Sequence, residues 1–215
     1  GMRKSIQFVR EETGGIAEAA ICYTGDLRNP EPGYKYNLHY YLDLAKRLED
    51  CGAHMLAIKD MAGLLKPAAA EDLIPALKDA IDIPIHLHTH DTTSVQATTL
   101  LKAIECGVDI IDTSLGSMSG LTSQVNMNSM VAIMQGHERE QAFDLESLNR
   151  YSNYWEEVRE IYYPFESGLK AGTAEVYEHE IPGGQYSNLK PQAIALGLEH
   201  KFEEIKKNYA IVNRM

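Results

Sequence analysis

The chain has 215 residues, a formal charge of −11 at neutral pH and 44% hydrophobic residues. That length is enough for the core of one large or two small domains. A pI near 5.2 argues against a nucleic-acid surface or an anionic membrane as partner. No apolar run is long enough to span a bilayer and no signal peptide is visible.

Cys22, Cys51 and Cys106 are odd in number and form no CxxC pair, which points to a reduced, cytoplasmic chain rather than a disulfide framework. Gly1 ahead of Met2 reads as a remnant of tag cleavage. Up to about Gly136 the chain alternates strand and helix patterns. Residues 16–24 read as a strand, and Tyr36 to Cys51 as a helix stopped by Gly52. Residues 54–59 read as a second strand. Pro67 suits a helix first turn, with the helix running to Ile81. Residues 84–90 form a third strand, Ser94 to Cys106 a helix closed by Gly107, 108–113 a fourth strand and about 122–135 a further helix. Asp144 caps a long helix to about Tyr163, whose Tyr151, Tyr154, Trp155, Val158 and Ile161 share one face and read as helix packing. A Gly/Pro-punctuated segment from Ser167 to Asn188 follows, then one or two helices between about Leu189 and Asn213.

Apolar strands alternating with amphipathic helices predict parallel β/α units with right-handed crossovers. A closed eight-stranded barrel needs about 250 residues, so the four units here make half of one. The predicted class is α/β: residues 1–136 form a partial (β/α) barrel and 137–215 a helical C-terminal extension.

In α/β folds the chemistry sits at the carboxyl ends of the strands. The third strand leads into His86, His88 and His90 at alternate positions, which a strand places on one face. Histidine is the commonest ligand for transition metals. Core histidines satisfied by backbone partners are the plainer alternative for any one of them; three on one face, followed by Asp91 and Thr92, favour metal. The second strand ends in Lys59, where an ammonium beside apolar Leu56, Ala57 and Ile58 is costly unless paired. Lys59 either forms a salt bridge with Asp60 or Asp91, or is buried as a neutral amine that takes up carbon dioxide as a carbamate and adds an anionic oxygen donor to His88 and His90. Two histidines and an oxygen ligand with an open position is a common catalytic arrangement.

The runs Lys59-Asp60-Met61-Ala62-Gly63-Leu64-Leu65-Lys66-Pro67 and His86-Leu87-His88-Thr89-His90-Asp91-Thr92 resemble the carboxyltransferase domain of pyruvate carboxylase. So do Glu18 to Asp26, Ser117 to Gln124 and Ile181 to Gln185, and the likeness runs from about Gly14 to Met215. The resemblance implies a (β/α) barrel with a helical, funnel-like extension, of which this chain is the C-terminal half cut at both ends. It implies a metal, Zn²⁺ or Mn²⁺, bound by a carbamylated lysine, two histidines and an aspartate. By motif the lysine is Lys59 and the histidines are His88 and His90; the aspartate has no counterpart here. The family's pyruvate-holding arginine and glutamine precede the start of the chain, and its proton-relaying threonine lies just past Met215. Gly116 and Val125 stand where the family more often has Asp and Pro.

The implied reaction transfers a carboxyl group from carboxybiotin to pyruvate, giving oxaloacetate. The implied partners are a biotin carrier domain and the first half of the barrel. Half a barrel leaves two edge strands unpaired, so the chain is expected to form a homo-oligomer, dimerising through strand regions 16–24 and 108–113 or swapping elements between protomers. Oxaloacetate decarboxylase α-subunits and transcarboxylase share the architecture, but Lys59 together with Thr89-His90-Asp91-Thr92 favours the pyruvate carboxylase type. The rival from another class is an inert folded fragment that keeps part of a metal site and a subunit-contact surface.

Overall fold

The computed structural model describes residues 1–166 and 168–213. Ser167, Arg214 and Met215, which belong to the punctuated segment and the C-terminus in the sequence reading, lie outside the described residues. The chain divides into two compact units. The first comprises Gly1–Asp60, Leu64–His88 and Thr98–Asp112; the second comprises Met61–Gly63, Thr89–Ala97 and the chain from Thr113 onward.

The first unit is built on a parallel sheet of four strands in the order β1 (Glu18–Cys22), β2 (Met55–Asp60), β3 (Ile85–Thr89) and β4 (Ile110–Ile111). An unexpected short helix, α1 (Met2–Phe8), precedes it. α2 (Leu38–Asp50), α3 (Pro67–Ala80) and α4 (Gln96–Glu105) are the crossovers between successive strands. Alternation sorts the strands: Ala19 and Ile21 of β1, Leu56 and Ile58 of β2, and Ile85 and Leu87 of β3 are buried with Leu73, Ile74, Leu77 and Leu100 of the helices. β1 pairs with β2 from Glu18↔Met55 to Cys22↔Lys59. Partners in a ladder face the same way, so Glu18, Met55 and Lys59 share the sheet's other face.

Element ends follow local chemistry. α2 starts at Leu38 rather than Tyr36 because the Asn37 side chain accepts the Tyr40 N–H and caps it there. Asp60, fully buried, accepts the N–H groups of Leu64 and Leu65 at 2.9 and 2.8 Å. This pins the turn that leads to Pro67 at the first position of α3. α4 starts at Gln96, not Ser94, since Ser94 takes a left-handed φ of 59°. β4 keeps only two residues of the expected 108–113.

The second unit carries α5 (Met127–Met134), α6 (Leu145–Tyr162), α7 (Val176–His179), α8 (Gly183–Ala195) and α9 (Phe202–Asn213). Asn126 caps α5 and Asp144 caps α6. α5 therefore begins after the expected residue 122, while α6 keeps its expected span. The aromatic face of α6 is a correction: none of its residues is buried, with Tyr151 and Tyr154 about 60% exposed and Ile161 72%. The two C-terminal helices are α8 and α9, and α8 begins earlier than expected, within the punctuated segment. Among the described residues no helix is long and apolar enough to cross a membrane.

Candidate functional site

In the first unit, one face of the sheet carries Glu18, Lys59, His86 and His88, with Asp112 just past β4. His88 Nδ1 lies 2.6 Å from Asp112 Oδ2. His86 Nδ1 lies 2.6 Å from Glu18 Oε1. The other nitrogen of His86, Nε2, is 3.0 Å from Asp112 Oδ1, within ion-pair reach but off line for a hydrogen bond. Burial lowers the proton affinity of His86, but the carboxylates of Glu18 and Asp112 outweigh it and hold the imidazole above its ordinary value. Burial likewise raises the Asp112 carboxyl, and the bonds from His88 and His86 outweigh it and hold the acid below its ordinary value.

Lys59 lies on this face at the end of β2, as the strand pattern predicts, but it is exposed. It is not buried as expected, and among the described residues no carboxylate lies within ion-pair distance of it, so the expected salt bridge to Asp60 or Asp91 is not formed. The physical reason is the alternation of β2, which turns Asp60 into the core and Lys59 to the opposite, open face.

In the second unit, three strand-end loops are laced together. Gln96 Nε2 donates to Gly63 O at 2.9 Å, and the Asp91 N–H donates to Ser123 O at 2.8 Å. The Thr173 N–H donates to Thr92 O at 2.8 Å and the Gly183 N–H to Met61 O at 3.0 Å. The Gly/Pro segment is thereby stitched to residues that follow β2 and β3. Gly183 tolerates no side chain easily, since a Cβ there would stand 3.1 Å from Thr92 Oγ1 and 3.2 Å from Thr122 O. His90 follows the end of β3 rather than belonging to it. Its Nδ1 lies 2.7 Å from the carbonyl oxygen of Thr122. A carbonyl only accepts, so Nδ1 donates and the lone pair of the neutral ring is on Nε2. Burial pushes the Asp91 carboxyl up, against a hydrogen bond from the Gln96 N–H. Thr122 also lines a cavity of about 300 Å³ with Ser119, Arg159, Tyr162, Glu166 and Ser187, room enough for a small ligand.

The two predicted histidines share one feature. Both His88 and His90 have Nδ1 committed to an oxygen acceptor, as metal-binding histidines commonly do. Among the described residues no three His, Cys, Asp or Glu side chains form a metal-holding group. Sequence reasoning placed Asp112 at a strand end without a role and gave Glu18 none. The alternation of β1 and β3 puts a carboxylate and an imidazole on one face, and that was the signal available for Glu18.

Residues 2–154 match the HMGL-like family, and residues 176–215 match a conserved carboxylase domain. The chain is 54% identical over 203 residues to pyruvate carboxylase of Staphylococcus aureus, covering 94% of this chain and 18% of that protein. It is 52% identical over 215 residues to the Bacillus subtilis enzyme, covering 100% of this chain and 19% of that one. The carboxyl transferase domain from Rhizobium etli pyruvate carboxylase superposes with a TM-score of 0.95 at 50% identity, over 99% of this chain and 36% of the other. The same domain with pyruvate gives 0.96 at 50% identity, over 99% and 35%. The chain therefore spans about a fifth of the curated relatives and about a third of that domain. Its parallel strands and crossovers are those of a TIM-type barrel, with a helical portion after them. The chain belongs to the HMGL-like family and, within it, is similar to the carboxyl transferase domain of pyruvate carboxylase.

Proposed function

We propose that this chain is the metal-binding part of a biotin-dependent carboxyltransferase that moves a carboxyl group from carboxybiotin to pyruvate, giving oxaloacetate. In this reading Lys59, His88 and His90 hold a divalent ion, Zn²⁺ or Mn²⁺. The observation that carries it is the pair of committed Nδ1 atoms, 2.6 Å from Asp112 at His88 and 2.7 Å from Thr122 O at His90. That arrangement puts both lone pairs on Nε2, where a metal takes them. A bound ion supplies Lewis acidity toward the pyruvate carbonyl.

Lys59 contributes an oxygen donor once its amine nitrogen bonds the carbon of carbon dioxide and a proton leaves to solvent. Exposure of the amine leaves it open to carbon dioxide. The mixed nitrogen and oxygen set suits either Zn²⁺ or Mn²⁺. Biotin arrives on a separate carrier domain, and the remainder of the barrel comes from the rest of a longer protein. Residues 1–136 are the partial barrel in this reading and 137–215 its helical extension.

Three free thiols, at Cys22, Cys51 and Cys106, support a cytoplasmic setting. The chain forms a homo-oligomer in this reading. β1 and β4 are the edges of the sheet; Ile16, just before β1, and Ile110, in β4, are 74% and 37% exposed. Sedimentation at micromolar concentration should show a dimer that Ile16→Lys and Ile110→Lys weaken.

The test of the site is equilibrium dialysis of the chain against Zn²⁺ and Mn²⁺. One ion per chain is expected, with a loss of at least about tenfold in affinity on His88→Ala or His90→Ala. Binding that ignores both substitutions rejects the ligand assignment. The rival reading is an inert folded piece that keeps part of the metal site. Oxaloacetate decarboxylation by the chain alone, with metal and free biotin, above a Lys59→Ala control would rule that rival out.

A further inference from the structure

Three side chains on the sheet face of the first unit are not ligands in the reading above. They are Glu18 of β1, His86 of β3 and Asp112 after β4, and they form a connected row that ends on His88. Glu18 Oε1 lies 2.6 Å from His86 Nδ1, His86 Nε2 lies 3.0 Å from Asp112 Oδ1, and Asp112 Oδ2 lies 2.6 Å from His88 Nδ1. An ionised carboxylate only accepts hydrogen bonds, so the His88 nitrogen facing Asp112 is a donor and the opposite nitrogen holds the lone pair. The final side-chain torsion of a histidine is broad and roughly two-fold. An acceptor fixed at Nδ1 selects one of the two ring settings and keeps the proton on that nitrogen. Asp112 is itself seated beside β3, where its N–H donates to Leu87 O at 3.2 Å. The second carboxylate oxygen of Asp112 faces His86, and His86 is tied at its far side to Glu18.

We infer that Asp112 is a positioning residue that fixes His88 in its Nδ1–H form and so presents a basic Nε2, and that His86, anchored on Glu18, steadies Asp112. The inference rests on the metal-site reading only for its consequence. A positioned His88 should bind metal more tightly by about 10–100-fold than one released from its carboxylate. The orientation itself is a property of the metal-free chain. A purely structural role for the row would lower stability without changing which nitrogen of His88 carries the proton.

The experiment is long-range ¹H–¹⁵N correlation of histidine rings in the metal-free 215-residue chain, at a pH where the imidazoles are neutral, paired with Zn²⁺ titration of the same samples. The wild-type chain should show His88 protonated at Nδ1. Asp112→Asn, which keeps an acceptor oxygen, should preserve that pattern. Asp112→Leu should lose it to a mixture or to the Nε2–H form, with Zn²⁺ affinity down about 10–100-fold. His86→Leu should show a partial loss of the pattern. A wild-type His88 protonated at Nε2 overturns the inference outright, whether or not the leucine variant folds. An unchanged Nδ1–H signal in Asp112→Leu overturns it as well. If the tautomer follows Asp112 but no Zn²⁺ binds, the inference stands and the metal-site reading falls. If Zn²⁺ binds Asp112→Leu as tightly as wild type with the tautomer unchanged, the reading stands and the inference falls.

Discussion

A methyl group at Gly63 would stand 2.3 Å from the carbonyl oxygen of His90, and the Gly63 φ of +72° is one that side-chain-bearing residues rarely adopt. Gly63→Ala therefore combines backbone strain of about 1–3 kcal/mol with a displaced His90. We expect a loss of stability in that range by urea denaturation and weaker metal binding. A change under about 0.5 kcal/mol would contradict the packing described. A second residue-scale expectation concerns pH. His179 is 4% exposed and its Nδ1 accepts the Ile181 N–H at 3.0 Å. Burial, then the Lys206 ammonium, hold it below the ordinary imidazole value of 6.5. The unfolded chain thus binds a proton at His179 that the folded chain refuses just below that value. This contribution to stability is intact above 6.5 and is lost as pH falls through the lowered folded value. His179→Gln should flatten the fall in urea midpoint between about pH 7 and about pH 5, and an unchanged slope would contradict it. At this scale the placement of His86 and His88 on one face of β3 was legible from spacing alone. The exposure of Lys59 was not, because alternation says that two faces differ without saying which one is covered. The tie between Asp112 and His88 depends on β3 and β4 being neighbours, which no local pattern states.

Elements were more legible in kind than in extent. Each predicted strand and crossover helix exists, because apolar periodicity reports which side of a segment is buried. Their ends depend on single contacts. Asn37 holds the first turn of α2 through the Tyr40 N–H at 3.1 Å, and Asn37→Ala should cost about 1 kcal/mol in urea denaturation. A neutral result would mean that Tyr36 and Lys35 extend the helix instead. Ser94 looked like the start of α4 because serine is a favoured cap, yet its left-handed backbone places it outside the helix, where the Asp91 carbonyl accepts its N–H at 3.0 Å. The stripe of α6 has helical spacing, and spacing alone cannot distinguish a buried stripe from an exposed one. Tyr154 and Trp155 stack edge to face at 5.4 Å while staying 59% and 38% exposed. No pattern marked α1, since the reading of strands began after it.

For the whole molecule, the α/β class and the half-barrel count were legible because four β/α units fill only part of the length an eight-stranded barrel needs. The division into two units was not, since it interleaves short loops such as Met61–Gly63 and Thr89–Ala97 with the segment after Thr113. Contacts of that kind join residues distant in sequence and leave no periodic trace. Likeness at 50% identity and a TM-score of 0.95 to a carboxyl transferase domain supports the proposed activity, and the chain covers 36% of that domain. The direct test supplies the remainder. In Staphylococcus aureus pyruvate carboxylase, the segment that aligns with 203 residues of this chain is replaced by this sequence, and bicarbonate-dependent oxaloacetate formation from pyruvate is measured. The account predicts a chimera that carboxylates pyruvate and loses at least about 100-fold of that rate on Lys59→Ala or His88→Ala, the order expected when a metal ligand is removed. A folded chimera no faster than its Lys59→Ala form, or one indifferent to both substitutions, would contradict it.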